Sequence, residues 1–339
     1  MTPKEISELA FLLYPHVVRS KPDITSAESL AERIKGMQHG LQPEDEFAAT
    51  VDWLGNCAAI HRIDQTPMAH PASTEKMRAP DFIAFPMVCG RPFPVLIEVK
   101  SHEGGYLDWS EKYLNSLRKF AECLNLPLLV AWKCGPLWCL VDHIHFEKNV
   151  TAYRLPFRKA VLQDLYCVLF RNLRIQMNPD LEFILDMKIL DEVAGDKDTL
   201  LAEGPLNVEI IHAGFYSGGD EITEYEHNLS WLVYSTPDEV EFRRTGKQTC
   251  QQVFRPLTDH GFTLSNVLST RVSITSSGES IDWHSVLREG KFTFSGREFR
   301  GLLRGAIDKG FVRYVLDIIP QTWPNFLPDQ KGVMAMHAD

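Results

Sequence analysis

Between Pro80 and Lys100 the chain carries two strand-forming runs, and each interrupts its own apolar pattern with charge. Asp81-Phe-Ile-Ala-Phe and Pro94-Val-Leu-Ile-Glu-Val-Lys flank a turn at Cys89-Gly90-Arg91-Pro92, which reads as a hairpin. Antiparallel pairing places Asp81, at the start of the first run, at the same sheet edge as Glu98, near the end of the second. Lys100 lies two residues beyond Glu98 and shares its face. Val95, Ile97 and Val99 mark one buried face, and Leu96 indicates that the other is partly covered as well. An acid and a lysine in such a strand are costly unless they serve a purpose.

The flanks read as an α/β unit. After Pro43, Phe47, Val51, Leu54 and Ala58 recur on one helical face, with Glu44, Asp45 and Glu46 in the first turn, and the helix ends near Gly55. Pro67 to Pro80 reads as a loop. Ser110 is placed to cap a helix whose apolar face is Tyr113, Leu114, Leu117, Phe120, Ala121 and Leu124; Leu128-Leu-Val-Ala-Trp follows as a buried strand, and Leu137 to Val141 as another. The order helix, strand, strand, helix, strand implies one crossover helix. Residues 156–176 read as helical.

Net charge argues at first against a nucleic-acid partner, because phosphate binding is driven by Lys and Arg, and this chain of 339 residues carries −10. The distribution of charge along the chain removes that objection. Residues 1–176 hold 20 basic and 20 acidic residues, 180–241 hold 16 acidic residues against Lys188 and Lys197, and 242–339 return to 13 basic and 9 acidic. We therefore divide the chain into a helical preface (1–40), a catalytic unit (41–176) and an α+β domain with an acidic first part (177–339). In the last, Asn207 to Phe215 and Leu229 to Tyr234 read as strands, and Gly296 to Lys309 as an amphipathic helix between strands Lys291 to Phe294 and Val312 to Ile318. The acidic stretch is expected to face solvent or a basic partner.

No run approaches a membrane span, and Met1 to Ala10 lacks the basic start of a secretory signal, so a cytoplasmic location is expected. Seven cysteines at irregular positions read as reduced thiols rather than a disulfide framework. Cys134, Cys139, His143 and His145 read as core thiols and edge histidines in preference to zinc ligands.

Phosphodiester hydrolysis at neutral pH needs charge stabilisation and an activated water, which a carboxylate-held Mg²⁺ supplies. Asp81 and Glu98 are candidate ligands, and Lys100 a candidate to orient the water. Pro80-Asp81 followed by Glu98-Val99-Lys100 resembles the signature of the PD-(D/E)xK, restriction-endonuclease-like nuclease superfamily. Over about 46–141 the likeness is greatest to archaeal Holliday-junction resolvase-like nucleases, with Phe120-Ala121 ending the helix and Leu129-Val130-Ala131 in the next strand. That resemblance implies an α/β fold with a mixed central sheet flanked by helices. It implies Mg²⁺ (or Mn²⁺) held by Asp81, Glu98, the Val99 carbonyl and Glu46, with Lys100 serving the water; Glu44 and Asp45 are alternatives to Glu46.

The implied activity is a DNA endonuclease in phage defence, restriction or repair, whose second domain recognises substrate, partner or trigger. Arg62, Lys76, Arg78, Lys112, Arg118 and Lys119 flank the site and are candidate contacts to the DNA backbone. A homodimer or a partner protein is expected through the second domain, because cutting both strands suits a two-fold pair. The rival expectation is a catalytically silent nuclease fold that binds or assembles through its acidic second domain. Arg297, Arg300 and Arg304 share a helical face, read as solvated rather than as a nucleic-acid track.

Overall fold

The computed structural model describes residues 43–64, 77–150, 152–190, 207–225, 229, 238–256, 261–268, 283 and 295–335. The expected helices before 41, the loop from 67 to 76 and the strand at 291–294 lie outside them, as do 230–234.

Helix α1 spans 43–54 and ends at Gly55, whose φ of 67° only glycine adopts without strain. The hairpin forms as the alternation requires: β2 (Phe82–Val88) pairs antiparallel with β4 (Val95–Ser101), Phe82 opposite Ile97. Strand β1 (Cys57–Arg62) lies outside β2, and the two-residue β3 (Arg91–Pro92) closes the turn. After β5 (Tyr106–Ser110), helix α2 (Glu111–Leu124) begins where Ser110 accepts the Tyr113 amide, and Asn125 ends it in the left-handed conformation. It returns the chain to β6 (Leu128–Cys134), parallel to β4, and β7 (Leu137–Asp142) turns back antiparallel. The order β1-β2-β4-β6-β7 makes a mixed sheet.

Both faces of that sheet are buried, which accounts for the almost continuous apolar run in β4. Val95, Ile97 and Val99 pack with Leu129, Ala131 and the Phe47, Trp53 and Leu54 side chains of α1. Leu96, Val130 and Trp132 pack with Leu114, Leu117 and Ala121 of α2. Strands β8 (Glu147–Lys148) and β9 (Ala152–Pro156) join β5 in a small separate sheet.

Residues 156–176 are less helical than expected. They form two short helices, α3 (Phe157–Leu162) and α4 (Tyr166–Phe170), and then enter a strand, β10 (Arg174–Met177). Asp164 interrupts the helix by accepting the Tyr166 and Leu140 amides, at 3.0 and 2.8 Å. The acidic stretch also contains more structure than expected. Strand β11 (Leu181–Ile189) is central in an antiparallel sheet with β12 (Val208–Ser217), β13 (Asp220–Ile222), β14 (Asp238–Arg244) and β15 (Thr249–Pro256). Its acids are partly matched by arginines: across the strands Arg255 meets Glu182 and Glu241, each at 2.7 Å, and within β14 Arg243 meets Glu241 at 2.9 Å.

Strand β16 (Phe262–Thr263) and β17 (Val312–Leu316) flank β10, and α5 (Gly296–Asp308) precedes β17 with a complete Ser295/Glu298 capping box. The short helix α6 (Gln330–Ala335) closes the described chain. One buried cluster contains residues from both sides of 176/177: Phe47, Trp53 and Phe170 on one, Phe299, Leu303 and Phe311 on the other. Helix α5 meets the end of α1 backbone to backbone. A Cβ on Gly296 would stand 3.0 Å from both Leu54 Cα and the Trp53 carbonyl oxygen.

Candidate active site

Register carries Asp81 to Glu98. Phe82 faces Ile97, so one step outward Asp81 stands opposite Glu98, and opposed residues point to the same face. That face is the one α2 covers, which is why Glu98 is 0% exposed and Asp81 4%. The Val99 amide donates to Asp81 Oδ2 at 2.7 Å. Lys100 Nζ, 31% exposed at its side chain, donates to Glu98 Oε1 at 2.5 Å and to the Val99 carbonyl at 3.0 Å. Asp81, Glu98, Lys100 and the Val99 carbonyl are thus brought together where β2 begins beside β4, two interior strands of the sheet.

Helix α2 adds a member that its sequence does not announce. Tyr113 OH donates to Glu98 Oε1, and the Lys100 ammonium lies 5.6 Å from the Tyr113 ring centroid. Tyr113 falls at the margin of the apolar stripe, where the pattern alone shows a ring filling the core. The signal that could have found it is an aromatic with a polar tip three residues after an N-cap.

Glu98 Oε1 therefore receives two donors, whereas Glu98 Oε2 is buried with no hydrogen-bond partner. A lone buried carboxylate oxygen is expensive. Burial pushes the Glu98 carboxyl above its ordinary range, and Asp81 pushes it further; Lys100 and Tyr113 act against both. Burial works against the Lys100 ammonium, but Glu98, Tyr113 and Asp81 outweigh it, so Lys100 stays charged well above neutral pH. Tyr113 is pushed up to about 12, by burial and by Glu98.

The first turn of α1 is arranged differently from the expectation for Glu46. Glu46 Oε2 pairs with Lys133 and its Oε1 accepts Trp138 Nε1 at 3.1 Å, so this carboxylate is engaged on β6 and β7. Glu44, two residues earlier, feels both site charges: burial raises its carboxyl, Asp81 raises it further, and Arg62 and Lys100 lower it. Two helical positions turn the side chain by about 200°, which separates the two environments.

Of the candidate contacts to the DNA backbone, Arg62 is held by Glu44 and by Asp45, the latter at 2.7 Å, and lies over Phe82. Its placement suits fixing the α1 turn rather than reaching DNA. Arg78 lies 4.9 Å from the Tyr113 centroid, and Arg118 stacks on Tyr153 at 5.0 Å. Lys112 is exposed and Lys119 half-buried, both on α2; Lys76 lies outside the described residues.

Among the described residues, no group of three or more His, Cys, Asp and Glu side chains converges on a metal position. In the run Cys134, Cys139, His143 and His145, Cys139 is buried and His143 Nδ1 lies 3.1 Å from the Leu128 carbonyl oxygen. The Asp81/Glu98 set has a different composition, two carboxylates and a main-chain carbonyl, and its unpartnered oxygen fits a hard divalent cation. No helix among the described residues is long and apolar enough to cross a membrane.

Fold and site together define a mixed α/β protein with a carboxylate and lysine cluster on two interior strands of a sheet covered on both faces. No family model and no curated protein matches the chain. Among solved structures it is similar to that of Hjc from Archaeoglobus fulgidus, a Holliday junction resolvase from an archaeal hyperthermophile. Identity is 19% and the TM-score 0.28, with 34% of this chain and 86% of the resolvase chain covered.

Proposed function

We propose that this chain is a metal-dependent endonuclease that hydrolyses DNA phosphodiester bonds, with Asp81, Glu98 and the Val99 carbonyl holding Mg²⁺ or Mn²⁺. The observation that carries the reading is Glu98, wholly buried beside Asp81 with one oxygen lacking any partner. A structural carboxylate would be satisfied; one reserved for a cation need not be. When bound, the metal supplies an activated water and charge stabilisation on the phosphate.

The chain's own residues do the rest. The Val99 amide fixes Asp81, and Tyr113 and Lys100 fix one oxygen of Glu98, leaving the other directed by the backbone of β4. Lys100 is charged at neutral pH and partly solvent-exposed, which suits it to orient a water and to face developing negative charge. Glu44 takes the supporting position that the family resemblance implies for Glu46, and Arg78 extends positive charge outward from the Tyr113 ring. Action on duplex DNA favours a pair of chains, one site for each strand, and the proposed setting is restriction, phage defence or repair. Against the rival reading, in which an acidic second domain is the working surface, stands the intact set of Asp81, Glu98 and Lys100.

Cleavage of plasmid, linear, single-stranded and branched DNA, and of RNA, with Mg²⁺ or Mn²⁺ tests the proposal. We expect metal-dependent cutting that Glu98→Gln and Lys100→Ala abolish while both variants stay folded. Cutting by the variants equal to that by the unaltered protein would remove these residues from the chemistry.

A further inference from the structure

At the far end of α1 from the carboxylates lies a pocket of about 880 Å³ between α5, the residues after α4 and β17. Four arginines line it, Arg171, Arg297, Arg300 and Arg304, against a single acid, Asp317. They come from separate parts of the chain: Arg171 Nη1 donates to Asp317 Oδ2 at 2.7 Å, and Arg300 Nη1 donates to the Leu54 carbonyl at 2.7 Å. The described residues give Arg297 and Arg304 no ion-pair partner. Helical spacing alone suggests a solvated stripe; tertiary packing folds it into a concavity with Met87, Leu173 and Leu303.

This concentration of like charge is unfavourable without an anion. Arg300 shows the cost, its guanidinium lowered to about 10 by burial and then by Arg171 and Arg297. The pocket is also remote from Asp81. Helix α1 separates Glu44 from Leu54 by roughly 15 Å at its usual rise. Along β2, Asp81 and Met87 are about 20 Å apart by strand geometry. A single phosphate held by the carboxylates cannot reach this pocket.

We propose that the pocket binds a small phosphate-bearing ligand of the nucleotide class, its phosphates held by Arg297, Arg300 and Arg304 and its organic part against the apolar wall. Volume and lining favour a small molecule over a duplex: the space is concave, within the roughly 300–1,000 Å³ typical of ligand sites, and mixes convergent donors with aliphatic side chains. Arginine forks suit phosphate oxygens.

The proposal is independent of the nuclease reading, and its test involves no cleavage. Calorimetric titration in EDTA would use inorganic phosphate, pyrophosphate, AMP, ADP, ATP and a linear dinucleotide, with a duplex oligonucleotide as a separate arm. We expect at least one mono- or dinucleotide to bind more tightly than about 1 mM. Binding should be equal in the unaltered protein and Glu98→Gln, and weakened at least tenfold in Arg297→Gln/Arg304→Gln. Both replaced arginines are on the pocket rim, and a melting curve confirms that the double variant folds. Failure of every nucleotide to bind, binding that survives the double substitution, or arginine-dependent binding of the duplex alone would each overturn the assignment.

Discussion

The Val99 amide and the Asp81 carboxylate are joined by a 2.7 Å hydrogen bond, so the acid that opens β2 is tied to the strand that carries Glu98 and Lys100. Removing the acceptor leaves a buried N–H unpaired, which costs about 1–3 kcal/mol. Asp81→Ala is therefore expected to lower stability by that amount, whereas Asp81→Asn keeps an acceptor oxygen and should melt close to the unaltered protein. Both should lose cleavage. Thermal melting and plasmid cleavage on the same preparations separate the two effects.

Glu98 gives a pH dependence with a definite sign. Its folded-state carboxyl titrates above the ordinary value because burial and Asp81 disfavour the anion. The folded protein then holds a proton that the unfolded chain has released, so stability falls as pH rises from the usual carboxylate range through the raised value. In EDTA, Glu98→Gln is expected to remove that slope and to be at least as stable as the unaltered protein at pH 7. Mg²⁺ should reverse the order, stabilising the unaltered protein by about 2.7 kcal/mol at a hundredfold excess over Kd and leaving the variant unmoved. Melting from pH 5 to 8 with and without Mg²⁺ checks both; an equal Mg²⁺ effect on Glu98→Gln would move the metal elsewhere.

Glu44 and Glu46 should behave oppositely. Glu44 feels Asp81 and Lys100, so Glu44→Gln is expected to slow cleavage by about tenfold, near 1.4 kcal/mol, with little change in melting. Glu46 binds Lys133 and Trp138, so Glu46→Gln should lower the melting point and leave the rate per folded molecule alone. Tyr113→Phe removes one donor from Glu98 and is expected to cost activity on a scale similar to Glu44→Gln, measured as kcat and as the Mg²⁺ concentration for half activity.

Gly296 and Gly301 of α5 are opposite cases. Gly296 sits 3.0 Å from the α1 backbone, so Gly296→Ala should destabilise by about 1–3 kcal/mol through overpacking. A Cβ at Gly301 meets nothing within 4 Å, so Gly301→Ala should stabilise by about 0.5–1 kcal/mol. Since one core contains residues from before and after 176/177, chemical unfolding is expected to be a single transition by both tryptophan fluorescence and circular dichroism. Two separated transitions would show that the two parts fold independently.

What the sequence made legible is local. The pairing of Asp81 with Glu98 follows from a hairpin whose two strands and turn lie within about twenty residues, and the period of two fixes which side chains share a face. Tyr113 was hidden because a helix that buries one stripe gives no indication of what a ring at its margin touches. Which acid of Glu44, Asp45 and Glu46 lies toward Asp81 turns on one or two helical steps within a run of three acids, beyond the reach of periodicity. Tyr166 to Phe170 are buried throughout, so the apolar run could not distinguish helix from strand or reveal where β10 begins. The arginine pocket depends on contacts between residues 146 and 246 positions apart, Arg171 with Asp317 and Arg300 with Leu54, of which a linear pattern holds no trace.

Lys100 has one more consequence. By bridging Glu98 Oε1 and the Val99 carbonyl, its ammonium serves as a built-in counterion beside the buried carboxylates. The chain can therefore be synthesised, folded and stored in metal-poor surroundings without two naked carboxylates repelling one another in its core. Under the proposed metal role the same tether would set a threshold, since an arriving ion would compete with a charge already in residence.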